Sequence, residues 1–144
     1  MAKTYRLGRA RRLINTLATS LLRAGLAGRH TYLLSVTGRR SGQSRSTPIV
    51  LLENDERWLV SPYGQVNWVR NLRAAGWATL SRGRHHERIT VSELGPIESA
   101  PILREYLRRA WVCRPFFDVS PDSPLDAFAA EAGRHPVFRI EPTT

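Results

Sequence analysis

The feature that most constrains this chain is a succession of short apolar, β-branched runs separated by nothing longer than a turn, a loop or a helix. Residues 31–37 and 46–53 read as strands, and Arg57-Trp58-Leu59-Val60-Ser61 as a third. The polar turn Glu53-Asn54-Asp55-Glu56 makes a hairpin of 46–61. Residues 77–81 and 86–92 are two more strands, with Gly83 in the turn between them, and Val137-Phe138-Arg139-Ile140 is the last. Strands that follow one another through short turns pair antiparallel, because a parallel pair needs a crossover of a dozen or more residues.

Helical spacing occupies four other segments. In residues 6–27 the apolar stripe Leu7, Ala10, Ile14, Leu17, Leu21 and Ala24 recurs at three- and four-residue steps, with Arg6, Arg9, Arg12 and Arg23 largely off it and Gly25 and Gly28 at its end. A short helix from Trp68 to Ala75 is expected, with Asn67 as its N-cap and Gly76 at its end. A long one runs from about Ile97 to Val112, burying Ile102, Leu103, Tyr106, Leu107 and Ala110 and stopped by Pro115. A further short helix covers 125–132, after a loop over 116–125. About six strands and four helices in this order predict an antiparallel α+β domain, a small barrel with helices over its ends. A chain of 144 residues suits one such domain, so 1–28 reads as a basic amphipathic helix ahead of a barrel at 29–144, single-domain overall. That helix either covers the open face of the domain or lies on an anionic lipid surface.

Charge is distributed unevenly. Residues 1–52 hold Lys3 and nine arginines and no acid, the first carboxylate being Glu53. The remaining twelve arginines and all twelve acids lie beyond it and cancel, so the net +10 belongs to the N-terminal third. Such asymmetry implies an anionic partner, be it nucleic acid, a lipid surface or a small polyanion. Nucleic acid fits least, since the aromatic residues are not interleaved with the basic ones in a stacking pattern. One cysteine, Cys113, suits a reducing compartment and a cytoplasmic protein, possible contact with the inner face of the membrane resting on 1–28 alone. The sequence shows neither a signal-peptide cleavage pattern nor an apolar run long enough to span a bilayer.

The charge concentrates functionally at Thr37-Gly38-Arg39-Arg40-Ser41-Gly42-Gln43-Ser44-Arg45-Ser46-Thr47-Pro48, between two strands. Two glycines four residues apart permit a tight turn and close approach of a ligand, and guanidinium groups with hydroxyls suit a phosphate or carboxylate. Spacing alone equally allows a solvated basic hairpin loop. The Gly-Lys-Ser/Thr ending of a Walker loop is absent. No catalytic constellation accompanies the loop. His85 and His86 point to opposite faces of a strand, no histidine pair has helical metal spacing, and no Gly-x-Ser-x-Gly elbow occurs. An enzyme built on this sequence takes its reactive group from a cofactor.

The Thr37–Pro48 segment, with Trp68-Val69-Arg70-Asn71-Leu72-Arg73-Ala74 further on, resembles the deazaflavin-dependent nitroreductase (quinone reductase) family, over about residues 31–141. The resemblance implies a split β-barrel and the coenzyme F-420, an 8-hydroxy-5-deazaflavin with a phosphodiester and a polyglutamate tail. It implies that Arg39, Arg40, Ser41, Gly42 and Arg45 grip the phosphate, that Thr47 and Pro48 lie along the ring, and that Trp68 and Asn71 frame the pocket. Ser61 would approach the reactive side of the ring, and Ser61 or Tyr63 would donate a proton. Trp111, Phe116 and Phe117, with Arg114, stand where some family members place tyrosines, and would clamp a flat hydrophobic acceptor: a quinone, nitroaromatic or activated alkene. A non-catalytic carrier of the same coenzyme, of a flavin such as FMN or of haem is the alternative on this fold, and a basic nucleic-acid-binding or membrane-surface protein the alternative of another class.

Overall fold

The computed structural model describes residues 30–141, without the side chains of Trp111 and Val112. The predicted helix over 6–27, and with it the lipid-surface reading, lies outside the described residues. So does the substrate contact expected of the Trp111 side chain. Among the described residues no helix is long and apolar enough to cross a membrane.

Seven strands form one antiparallel sheet: β1 (Thr31–Thr37), β2 (Ser44–Val50), β3 (Leu52–Glu53), β4 (Arg57–Val60), β5 (Trp77–Arg82), β6 (His85–Glu93) and β7 (Val137–Glu141). Their order is β2-β1-β5-β6-β7-β4-β3. The two edges of this sheet, β2 and β3, are consecutive in the chain and joined by Leu51 alone. Laid flat, seven strands would separate the edges by about 29 Å at ~4.8 Å per strand. Val50 and Leu52 are two residues apart and can span no more than ~7 Å. The sheet therefore curls until its ends meet, and a split half-barrel results.

The expected strand 46–53 is thus two strands, which raises the count to seven. The partner of β2 is β1, with Thr31 opposite Val50 and Thr37 opposite Ser44, so the 46–61 hairpin shrinks to Leu52–Glu53 against Arg57–Trp58. Leu51 and Leu52 are both buried. Successive residues of a strand face opposite ways, so burying both requires the chain to bend as it passes from one edge to the other. Pro48 is tolerated because β2 lies at an edge, where its missing N–H interrupts no second ladder.

Three α-helices complete the described fold: α1 (Asn67–Ala75), α2 (Pro96–Arg109) and α3 (Leu125–Glu131). Asn67 is the first helical residue of α1 rather than its cap; Val66 takes the cap position with no side-chain cap bond. Gly76 ends α1 in the left-handed conformation, φ 77°, its N–H donating to the Leu72 carbonyl at 2.7 Å. The second helix stops at Arg109, three residues early, and a 3₁₀ helix over Trp111–Phe116 follows, so Phe116 leaves the expected loop.

Two apolar clusters hold these pieces. Leu34, Val36, Leu59, Leu72, Leu80, Ile89 and Phe138 fill the half-barrel and seat α1 in it. Trp58, Val60, Leu103, Leu107, Phe117, Phe128 and Val137 pack α2 and α3 on its other face. Strand β4 is buried on both sides, with Leu59 in the first cluster and Trp58 and Val60 in the second. Where the β2 edge, α1 and α2 converge, the sheet leaves a cleft.

Candidate active site

The loop between β1 and β2 is built by its glycines. Gly38 N–H donates to the Gln43 carbonyl at 2.7 Å and Gly42 N–H to the Gly38 carbonyl at 2.9 Å. Gly42 has φ 72°, a conformation that side chains resist. A Cβ at Gly38 would lie 2.9 Å from Ser41 Oγ and 3.1 Å from the Gln43 carbonyl oxygen. Ser41 Oγ accepts the Gln43 N–H at 3.2 Å. The turn is therefore closed by its own backbone, which leaves its arginine side chains to point elsewhere.

Arg39 is tied down by the first helix. Asn71, buried on α1, accepts both the Arg39 backbone N–H at 3.1 Å and a guanidinium N–H at 2.7 Å through one Oδ1. The partner is a neutral amide, so the loop is anchored without loss of its charge. Arg40 and Arg45 project from the same loop and Arg70 from α1, and none of them has an ion-pair partner among the described residues.

These groups border a cleft of about 1330 Å³. Arg39, Arg40, Arg45 and Arg70 line it, as does Arg109 of α2, which pairs with Glu105; among the described residues no carboxylate lines it. Val36, Pro48, Ile49, Leu51, Val60 and Trp68 give it a largely apolar wall. A low-dielectric trough with uncompensated cations at one end suits a flat, largely apolar ligand carrying an anionic tail.

Of the residues singled out from sequence, Arg39, Arg40, Ser41, Arg45, Thr47, Pro48, Tyr63, Trp68 and Asn71 share this cleft. Gly42 shapes the turn without lining it. Ser61 does not reach the cleft. Its side chain is buried and its hydroxyl donates to the Gly64 carbonyl at 2.7 Å, so it holds the turn that carries Tyr63. Phe116 meets the Tyr63 ring edge-on, centroids 4.9 Å apart, and supports the cleft from behind. Phe117 is a core residue, stacked 3.7 Å from His135 in the cluster beneath α2, and the expectation that it clamps a substrate is replaced by that packing.

Two parts of the lining escaped the sequence reading. Tyr106 and Cys113 enter from the helical side, with Tyr106 Oη and Cys113 Sγ 3.8 Å apart. Burial first, and then Cys113, push the Tyr106 phenol well above its usual range, so it stays protonated. Helical spacing gives Tyr106 only a buried helix face. His30 lines the far end of the cleft, where it meets Glu53, a residue outside the lining and 23 positions away, and no local spacing could have joined them.

The F420H2-dependent quinone reductase model matches residues 13–117, most of the chain. The chain belongs to the F420H2-dependent quinone reductase family. This F420-dependent oxidoreductase uses coenzyme F-420, and its cleft fits that group: arginines without an ion-pair partner among the described residues suit an anionic tail, and a largely apolar trough suits an aromatic ring. Solved structures resemble this reductase in fold. One described as a domain-swapped dimer is 17% identical, with 92% of this chain and 99% of that one covered, at a TM-score of 0.59. An F420 reductase is 16% identical over 87% and 92%, TM-score 0.51. A FAD-binding protein from Mesorhizobium loti is 15% identical over 90% and 89%, TM-score 0.51. No curated protein matches the chain.

Proposed function

We propose that this reductase passes hydride from reduced coenzyme F-420 to a quinone, with nitroaromatics and activated alkenes as further electron-poor acceptors. The observation that carries the reading is the junction, in one cleft, of a carboxylate-free arginine loop with an apolar trough. The reduced coenzyme, when bound, supplies the hydride.

The chain's own residues supply position and electrostatics. Arg40, Ser41 and Arg45 hold the phosphate, and Arg39, fixed by Asn71, keeps the loop in register for it. Thr47, Pro48 and Trp68 border the ring, and Tyr63, backed by Phe116, closes the cleft on the side of the β4–α1 connection. Holding donor and acceptor together in a dry trough supplies most of the available acceleration. FMN is the secondary ligand, supported by the FAD-binding neighbour.

The test is to mix the protein with the reduced coenzyme and a panel of quinones, nitroaromatics and activated alkenes, following reoxidation of the deazaflavin by absorbance. Reoxidation fastest with the quinones is expected. Failure to bind the coenzyme at micromolar concentration would end the proposal.

A further inference from the structure

The far end of the cleft has a chemistry that the arginine loop does not explain. His30 lines the cleft just before β1, and its Nδ1 lies 2.7 Å from Glu53 Oε2. Tyr32 donates its hydroxyl to the other oxygen of that carboxylate at 2.9 Å. Arg109 of α2 donates to the Glu53 backbone carbonyl at 3.3 Å. The start of β1, β3 and the end of α2 thus converge on one carboxylate. Strand β1 separates this cluster from the arginine loop, since Thr31 pairs with Val50 and Thr37 with Ser44. Six steps at ~3.3 Å put the two ends about 20 Å apart. An anionic tail gripped at one end therefore leaves the other end to whatever the ring faces.

The hydrogen bonds fix the state of the imidazole. An ionised carboxylate only accepts, so Glu53 holds a proton on Nδ1 and selects the tautomer. Nε2 is then the nitrogen left for a ligand, because among the described residues it has no partner. The side chain of His30 is 41% exposed against 19% for Glu53, which is the order expected when a half-buried carboxylate orients a reachable imidazole. Glu53 bonds His30, and Tyr32 and Arg109 bond Glu53; beyond them stand Arg57, paired with Glu87, and Arg82, whose guanidinium lies 6.0 Å from the Tyr32 ring.

We propose that His30, oriented by Glu53, is the catalytic acid that protonates the acceptor; this rests on the quinone reading above. A quinone that has received hydride from the reduced coenzyme is two electrons richer and carries one negative oxygen. The Nε2–H bond of protonated His30 breaks and an O–H bond forms on that oxygen, giving the neutral hydroquinone. The imidazole recovers its proton from water, and the proton that the coenzyme's oxidation releases goes to water, so the balance closes. The site thereby suits acceptors whose reduction creates an oxyanion.

The experiment uses the whole chain. With reduced coenzyme and 1,4-naphthoquinone, His30→Ala should lower kcat a hundredfold or more, the usual scale of a positioned acid, with KM little changed. Free imidazole should restore part of the loss, which it would not do for a structural histidine. A second readout needs no coenzyme: calorimetry of 2-hydroxy-1,4-naphthoquinone, an anion at neutral pH, in two buffers of different ionisation enthalpy. Across a pH series at and above neutrality, the wild type should take up a proton on binding that His30→Ala does not. Equal proton uptake in both, none in the wild type, or a variant kcat within threefold of wild type overturns the assignment. Should His30→Ala not fold, Glu53→Gln must show a kcat loss of roughly tenfold, and an unchanged kcat overturns the assignment equally. A wild type that binds the coenzyme but reduces no quinone defeats the quinone reading instead, and proton uptake still decides whether His30 answers an anion in the cleft.

Discussion

Asn71 holds Arg39 by two donors on a single oxygen: the backbone N–H at 3.1 Å and the guanidinium at 2.7 Å both converge on Oδ1. The bond joins α1 to the β1–β2 loop and fixes a cation without neutralising it. Asn71→Asp would put a carboxylate there and cancel the charge the coenzyme needs. Asn71→Ala would leave buried donors unmatched. Bonds to charged groups contribute about 1.5–3 kcal/mol, so Asn71→Ala should weaken coenzyme binding roughly tenfold or more, and Asn71→Asp further. Fluorescence titration of both variants with the coenzyme checks this. Undiminished affinity in Asn71→Asp would show that Arg39 does not face the anionic tail.

Arg40 and Arg45 flank the same turn, and among the described residues no carboxylate answers them. Replacing either by Ala should raise the Kd for the intact coenzyme by about ten- to a hundredfold, the scale of one charge-assisted contact. The same variants should bind the deazaflavin ring stripped of its phosphate and tail as the wild type does. A parallel loss for both ligands would move the arginines from tail recognition to maintenance of the loop.

Much of this fold was legible in the sequence, since Gly76, Gly83 and the polar turn at 53–56 end their elements for local reasons. The division of 46–53 was not. Leu51 breaks the run because it links two sheet edges, and that follows from closure of the barrel, not from propensity. The residues of the cleft divide in the same way. The arginine loop is contiguous and announces itself through composition, and the family resemblance draws in Thr47, Trp68 and Asn71 beside it. Ser61 and Phe117 stand close in sequence to residues that line the cleft, yet Gly64 and His135 turn each of them into the interior. The Glu53 carboxylate joins His30 only after β1 and β3 have been brought together from either side of Leu51.

Stability should depend on pH through Arg57 and Glu87. Strand β7 lies between β6 and β4, and the pair spans it with two bonds, 2.9 and 2.6 Å long. The Arg57 guanidinium holds the Glu87 carboxyl below its usual range against the opposing effect of burial. With a depressed pKa in the folded state, the unfolded chain binds the proton first. The contribution is therefore complete above the unfolded value of ~4.3 and disappears as pH falls through the folded one. Both side chains are partly solvated, which limits it to under about 1 kcal/mol. Urea unfolding should find Glu87→Gln less stable than wild type at neutral pH and indistinguishable in acid. A difference that persists in acid would assign the effect to packing.

The pair of Glu131 and His135 should behave in the opposite way, because it is buried. His135 Nδ1–H donates to the Pro62 carbonyl at 2.9 Å, its Nε2 lies 2.8 Å from Glu131 Oε1, and the Asp118 N–H donates to that same oxygen at 2.8 Å. Both side chains are almost wholly enclosed. Burial holds the His135 imidazole below its ordinary pKa, with Glu131 opposing. Removing one member strands a polar partner in a medium that cannot solvate it, a loss of about 3–5 kcal/mol where a buried charge is left unpaired. Removing both takes away the group that would be stranded. His135→Leu and Glu131→Leu should each cost several kcal/mol in urea unfolding, and the double variant less than their sum, a coupling that a double-mutant cycle measures directly. Because Pro62 adjoins Tyr63, His135→Leu should also raise the KM for the acceptor more than the Kd for the coenzyme. Strict additivity in the cycle would mean that the two side chains stabilise the fold independently and that neither holds the turn for the other.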